Sequence, residues 1–124
     1  MVHPFRRAIE ARDLDAAVAL MSENVVFRSP AVFKPYHGPE AVRRLLEAVM
    51  AVFEDFRYVR EIGADDARDH ALVFETRVGD KQIEGCDFIQ LDDDGMIAEF
   101  TVMVRPMSGM LALAEAMKVQ LSAI

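Results

Sequence analysis

An aspartate inside an apolar strand pattern is the residue of this sequence that is best suited to chemistry. The segment IEGCDFIQL covers residues 83–91, and Asp87 lies in its middle. Side chains along a strand alternate between two faces. The face that carries Asp87 also carries Ile83, Ile89 and Leu91, whereas three of the five residues on the other face are strongly polar. We therefore expect Asp87 to point inward among apolar groups.

A carboxyl in such surroundings can act as an acid or as a hydrogen-bond donor. Desolvation disfavours the charged form, so the group can stay protonated near neutral pH. A protonated carboxyl donates to an oxygen of a bound molecule, and an ionised one abstracts a proton. Two alternatives remain open. Asp87 can be a core group paired with an arginine or tyrosine, or the opposite register can turn Phe88 and Cys86 inward and leave Asp87 at the surface.

Other polar residues are candidates for the same site. Tyr58 has the strand parity of Phe56 and can direct its hydroxyl into a pocket. His37 lies in the turn PYHGPE, where it either forms local hydrogen bonds or stands at a pocket mouth beside Asp87. Ser29 completes a nominal Ser-His-Asp set, but the chain has no G-x-S-x-G elbow and nothing in the sequence brings the three together.

Apolar residues of the same segments predict the wall of a ligand site, with core packing as the alternative. The predicted catalytic residue is Asp87, and the predicted ligand-binding residues are Phe27, Ser29, Phe33, His37, Phe53, Tyr58, Phe74 and Phe100. Four methionines can add an adaptable wall, or can fill the core or a subunit contact: Met103, Met107, Met110 and Met117.

The sequence predicts neither a metal site nor a cofactor. The three histidines, His3, His37 and His70, have no carboxylate or cysteine at a metal-ligand spacing. The aspartate run at residues 92–94 is typical of a solvated hairpin turn, and no glycine-rich phosphate loop is present. The single cysteine, Cys86, excludes an intrachain disulfide.

Composition limits the classes of partner. The chain has 124 residues, of which 52% are hydrophobic and 28% charged, so we expect one globular domain over residues 1–124. A net charge of −7 argues against nucleic acid and anionic membranes. No apolar run approaches the roughly 20 residues that span a bilayer. The charged N-terminus lacks an apolar signal core, and we therefore expect a cytoplasmic protein.

The elements that must position these residues follow from periodicity and turn signals. Helices are predicted around Phe5, after the N-cap Asp13, over HGPEAVRRLLEAVMAVF and from about Ser108. Strands are predicted in NVVFRSP, FRYVREI, ALVFETRV, QIEGCDFIQL and MIAEFTVMVRP. This order is an α+β layout, in which helices cover one face of a curved sheet and can leave a pocket beneath them.

Three segments carry a resemblance to a known family: FRRAIEARDLDAAVALMSENVVFRSP, HGPEAVRRLLEAV and GCDFIQLDDDGMIAEF. In order and spacing they resemble the nuclear transport factor two-like superfamily, and most nearly its SnoaL-like branch of polyketide cyclases and ketosteroid isomerases. The resemblance implies a cone-shaped roll, with a strongly bent, mostly antiparallel sheet wrapped around N-terminal helices and a C-terminal helix. It also implies a homodimer through the outer sheet face, with Val73, Phe88, Thr101 and Met103 as contact candidates.

The resemblance transfers to the site only in part. Asp87 matches the aspartic acid donor of ketosteroid isomerases, but their tyrosine donor falls on Phe5 and their catalytic base falls on Ser29. The acid near the end of the last strand of SnoaL-type cyclases falls on Arg105. We expect a pocket for a small apolar molecule with a carbonyl or hydroxyl, and proton-transfer isomerisation, cyclisation or hydration without a cofactor. The alternative is a non-catalytic ligand-binding or dimerisation module of the same fold.

Overall fold

The computed structural model describes residues 2–122. It contains four helices, which are α1 (Pro4–Glu10), α2 (Leu14–Ala19), α3 (Pro39–Val52) and α4 (Met107–Ser122). Its six strands are β1 (Met21–Arg28), β2 (Tyr36–His37), β3 (Glu54–Ile62), β4 (Asp69–Val78), β5 (Lys81–Leu91) and β6 (Ile97–Arg105).

The strands form one curled, unclosed sheet in the order β2-β1-β6-β5-β4-β3. Strands β3 to β6 form an antiparallel meander, β2 pairs antiparallel with β1, and β1 lies parallel to β6. Register shifts interrupt the β1–β6, β3–β4 and β5–β6 ladders, and such irregularities increase local bend and twist. The predicted α+β class is therefore confirmed, as is the mostly antiparallel, strongly bent sheet.

Short local signals start the helices that cover the sheet. Asp13 caps α2, because its carboxylate accepts a hydrogen bond from the backbone N–H of Ala16 at 3.0 Å. Gly38, at φ 91°, precedes α3, and Pro39 opens that helix. These starts agree with the predicted ones. The prediction missed β2, which is only two residues long and lies where the sequence indicated a turn.

The first helix is fixed to the sheet at its N-terminus. The Nδ1 of His3 accepts a hydrogen bond from the backbone N–H of Phe5 at 3.0 Å, and the backbone N–H of His3 donates to the Glu61 carboxylate at 3.1 Å. The His3 ring also packs edge-on against His70, with 4.6 Å between centroids. These contacts hold α1 so that Phe5 is fully buried against Phe100.

Strand β5 alternates as its sequence predicts. Ile83, Gly85, Asp87 and Ile89 are buried, whereas Phe88 is 43% exposed. The close packing of Phe74 requires a glycine at Gly85, because a Cβ there would lie 2.2 Å from the ring of Phe74. The ring therefore lies directly against the strand, two residues from Asp87.

None of the helices within residues 2–122 is long and apolar enough to cross a membrane.

Candidate functional site

A cavity of about 520 Å³ lies between the helices and the inner face of the sheet. Helices α1, α3 and α4, strands β1 to β6 and the segment after β1 all contribute to its lining. Six phenylalanine rings dominate the wall: Phe5, Phe27, Phe53, Phe56, Phe74 and Phe100. The volume and the aromatic lining are both typical of sites for small apolar ligands.

A buried acid and a buried phenol meet at this cavity. Asp87, on β5, is 6% exposed and borders the cavity together with Tyr58, on β3. The Tyr58 hydroxyl donates a hydrogen bond to Oδ2 of Asp87 at 2.7 Å. Because β4 lies between the two strands, the tyrosine reaches across one strand to meet the carboxyl. The predicted inward orientation of Asp87 is confirmed, and its partner among residues 2–122 is a tyrosine rather than an arginine.

Burial decides the protonation of this pair. Desolvation raises the pKa of Asp87 from 3.8 to about 7, although the hydrogen bond from Tyr58 acts in the opposite direction. Burial, followed by the nearby charge of Asp87, raises the pKa of Tyr58 well above its ordinary value of 10. Tyr58 therefore keeps its proton near neutral pH, and Asp87 is the group that exchanges one.

Aromatic rings surround the phenol that binds the carboxyl. Phe56 packs edge-on against Tyr58 at 5.0 Å between centroids and lies 5.0 Å from Phe74. Phe53 stacks on Phe56 at 5.7 Å. The guanidinium of Arg6 lies 5.9 Å from the Tyr58 ring centroid, within reach of a cation–π contact. The phenol is thus fixed on several sides, which holds its hydroxyl toward Asp87.

The structure brings most of the predicted site residues to the cavity. Its lining includes Asp87, Tyr58, Ser29, Phe27, Phe53, Phe74 and Phe100. Two predicted residues lie elsewhere, and their predicted position at the cavity is corrected. Phe33 is fully exposed in the loop between β1 and β2, and His37 is exposed on β2. In β2 it is Tyr36 that lines the cavity, because strand alternation turns the neighbouring His37 outward.

The nominal Ser-His-Asp set is not assembled. The hydroxyl of Ser29 accepts hydrogen bonds from the backbone N–H groups of Ala31 and Val32 at 3.2 and 3.1 Å, which closes a local turn. His37 is exposed outside the cavity, whereas Asp87 is buried within it. The two other positions at which the resemblance implies a functional group do not supply one to the site. Phe5 has no hydroxyl, and Arg105 is exposed beside Glu84.

Part of the lining comes from apolar residues of the two long predicted helices. On α3 these include Leu45, Leu46 and Val49, and on α4 they include Met110, Leu113 and Met117. A helix face that borders a cavity has the same apolar pattern as one that packs in a core. Met103 and Met107 are exposed instead. Several lining residues had no sequence signal, among them Arg12, Tyr36 and Lys118.

No group of three or more His, Cys, Asp or Glu residues within residues 2–122 is arranged to hold a metal ion. In the aspartate run, the Asp92 carboxylate accepts hydrogen bonds from the backbone N–H groups of Asp94 and Met96, and Asp93 pairs with Arg68. These contacts describe a hairpin turn.

Cys86 is half-buried on the outer face of β5, and burial raises the pKa of its thiol.

Comparison with known proteins finds a family whose sequence pattern matches this chain. The sequence pattern of the SnoaL-like domain matches residues 2–100. A steroid delta-isomerase from Pseudomonas aeruginosa is 45% identical over 94% of this chain and 85% of its own, with a TM-score of 0.88. An uncharacterised protein with a cystatin-like fold from Silicibacter pomeroyi is 33% identical over 94% of this chain and 82% of its own, with a TM-score of 0.87.

A more distant likeness is limited to the fold. The epoxide hydrolase/cyclase-like enzyme SalBIII, which acts in pyran ring formation in polyether salinomycin, is 17% identical over 85% of this chain and 87% of its own. Its TM-score is 0.66. No curated protein is detectably similar in sequence to the chain.

Replacing Asp87 by asparagine is expected to remove a pH dependence of stability. The folded-state pKa is raised from 3.8 to about 7. The stability from this group is therefore complete below pH 3.8 and is lost as the pH rises to about 7, by about 4 kcal/mol in total. Asp87→Asn keeps an acceptor for Tyr58 and loses the charge, so it should be more stable than the wild type at pH ~8.

Urea unfolding of both proteins from pH ~4 to ~8 measures this difference, with the exposed-site variant Asp66→Asn as control. The control should follow the wild-type profile. A variant that is less stable than the wild type even at pH ~8 would mean that the native carboxyl is ionised and that its charge supports the fold.

Proposed function

The chain belongs to the SnoaL-like domain family, and on that premise we propose that it binds a small apolar molecule that carries a carbonyl or hydroxyl. The ligand would occupy the cavity, with its oxygen against Asp87. The observation that carries the proposal is the 2.7 Å hydrogen bond between Tyr58 and an Asp87 whose pKa of about 7 allows both protonation states at the cavity wall.

Several features support a ligand of this kind. A cavity of about 520 Å³ falls within the roughly 300–1,000 Å³ of small-molecule sites. Its wall is mainly aromatic and aliphatic, which suits a ligand with an apolar body. The buried pair of Tyr58 and Asp87 lies at one place in the wall, which suits a ligand with a single oxygen. The relative that is 45% identical is a steroid delta-isomerase, whose name refers to an apolar ring compound.

The hydrogen bond to Tyr58 leaves one oxygen of Asp87 for a ligand. The phenol proton is directed at Oδ2, so Oδ1 is the atom that can serve the cavity. A neutral Asp87 carries a proton there and donates it to a ligand carbonyl. An ionised Asp87 accepts a hydrogen bond from a ligand hydroxyl. The protonation state therefore selects between the two classes of oxygen.

Catalysis would use Asp87 as the acid of a proton-transfer isomerisation, cyclisation or hydration. A neutral carboxyl can stabilise the negative charge that develops on a carbonyl oxygen when a neighbouring carbon loses a proton. Such a step also needs a base. Ser29 is bound to backbone N–H groups, while Glu10 and Asp55 at the cavity are paired with Arg6 and Arg77.

The missing base favours a second candidate function, which is non-catalytic binding of the same ligand class. In that case the Tyr58–Asp87 pair orients the ligand oxygen and no bond is broken. Phe5 also favours non-catalytic binding. It stands at the position of the family's tyrosine donor and can pack against a ligand, but it cannot donate a proton.

We also propose a homodimer through the outer sheet face. Two neighbouring rows of residues cross β4, β5 and β6 there, namely Val73, Cys86 and Met103 in one and Ala71, Phe88 and Thr101 in the other. Met103 is 60% and Phe88 43% exposed, so these rows leave apolar area that a second copy would cover.

Sedimentation velocity tests the homodimer. The wild type should sediment as a dimer, and Phe88→Asp with Met103→Asp should produce monomers, because burying two carboxylates is costly. The control is Val119→Asp, which places the same charge on an exposed apolar position of α4. A wild type that sediments as a monomer at micromolar concentrations would contradict this part of the proposal.

Ligand binding is tested with matched ketones and alcohols, from benzophenone and benzhydrol up to a steroid ketone and its alcohol. Ketone affinity should fall about tenfold per pH unit above pH ~7, because the proton on Asp87 is lost, while alcohol affinity should not fall. Asp87→Asn should bind ketones without this pH dependence, since its amide donates in place of the acid. Asp87→Leu should lose about tenfold in ketone affinity.

Calorimetry measures these affinities, and Asp66→Asn is again the control variant. Ketone affinities that are the same for all the variants at every pH would overturn the assignment of Asp87 as donor.

Turnover separates the two candidate functions. If the protein converts a β,γ-unsaturated steroid ketone to its conjugated isomer, Asp87→Asn should abolish that reaction while keeping ketone binding, whereas absence of turnover in the wild type favours the binding module.

A further inference from the structure

Two basic side chains of the cavity lining are exposed to solvent. Arg12, in the turn between α1 and α2, and Lys118, on α4, both line the cavity and are both exposed. A side chain that is exposed and also borders a cavity lies at its opening. The backbone of Arg12 has a φ of 56°, an uncommon conformation for a residue with a side chain.

The exposed acidic residues of the lining each have an arginine partner, although Arg6 also pairs with Glu61 and Arg77 also pairs with Glu54. Glu10 pairs with Arg6 at 3.2 Å, and Asp55 pairs with Arg77 at 2.7 Å. Asp87 is bonded to Tyr58, and its raised pKa makes it neutral for much of the time near pH 7. The third basic residue of the lining, Arg57, pairs with Glu75 at 2.6 Å.

Arg12 and Lys118 differ from the other charges at the cavity. Within residues 2–122 neither has a carboxylate within 4.0 Å. Arg12 donates one guanidinium N–H to the backbone carbonyl of Met50 at 3.3 Å, and its other donors remain available. Among the described residues of the lining, the exposed charged side chains that lack an ion-pair partner are thus basic, in a chain of net charge −7.

We propose that the ligand carries a carboxylate at the end remote from Asp87, and that Arg12 and Lys118 bind this carboxylate at the opening. The ligand class is then an apolar oxo- or hydroxycarboxylic acid. This inference rests on the proposed function and extends it from one end of the ligand to the other. Arginine binds a carboxylate through its planar fork of N–H donors, and lysine adds a second charge.

A singly charged carboxylate fits this opening better than a phosphate-like group. Glu10 and Asp55 lie in the same lining, and the whole chain is acidic. A second negative charge on the ligand would be repelled by these carboxylates, and among residues 2–122 the lining offers two cations without a carboxylate partner. The apolar body would extend between the aromatic wall and Asp87, which separates the two polar ends.

The test compares keto acids with their own methyl esters, because the two members of each pair share body and ketone. Ketoprofen and ketoprofen methyl ester form the first pair, followed by longer aromatic keto acids. At pH ~6 the carboxylic acid is ionised and Asp87 is mainly protonated. Calorimetry at low salt should give about fivefold to tenfold tighter binding of each acid than of its ester. Added salt should reduce this preference.

The variant pair locates the carboxylate. Arg12→Gln with Lys118→Gln should abolish the preference for the acid and leave the affinity for the ester unchanged. The control, Arg44→Gln with Lys81→Gln, removes the same charge from two exposed residues outside the cavity lining and should keep the preference.

The outcomes separate this inference from the function beneath it. If the esters bind and the acids bind no more tightly, the carboxylate site is wrong and the proposed function stands. A preference that survives the Arg12 and Lys118 changes would also overturn it. If neither acids nor esters bind across the series, the proposed function and this inference fail together.

Discussion

Exclusion of water from the Asp87 carboxyl is the physical condition on which the site depends. Asp87 is 6% exposed, its hydrogen-bond partner is a phenol that keeps its own proton, and aromatic rings pack around that phenol. If water reached the group freely, its pKa would return toward that of an ordinary aspartate and it would be ionised at neutral pH. The apolar wall of the cavity and the raised pKa of Asp87 thus depend on the same burial.

The fold supplies this burial through strand alternation and helix cover. Strand β5 lies next to β6 and β4, so Asp87 is held from both sides by backbone pairing with Val102 and Leu72. Tyr58 comes from the edge strand β3, where the bent sheet brings its hydroxyl back over β4 to the carboxyl. The contacts of His3 at the start of α1 place Phe5 in the same wall.

The sequence predicted those features that depend on local periodicity. The apolar partners of Asp87 along β5 fixed its face, and apolar periodicity predicted the long helices α3 and α4. His37 was misplaced because the inward side of a two-residue strand is decided by its pairing with β1, which a short sequence does not reveal. Phe33 was misplaced because a loop has no periodicity. Helical periodicity could not distinguish a cavity from a packed core, and the positions of Arg12 and Lys118 depend on how separate helices approach each other.

The protonation state of Asp87 in the unliganded protein tests the central claim most directly. Carbon-13 NMR of the side-chain carboxyl, assigned by comparison with Asp87→Asn, follows its titration between pH ~3 and ~9. We expect a midpoint about three pH units above that of an exposed aspartate, in agreement with a pKa of about 7. A midpoint near 4, or a carboxyl that is already ionised at pH ~5, would mean that water or an opposite charge reaches this group and would contradict the account.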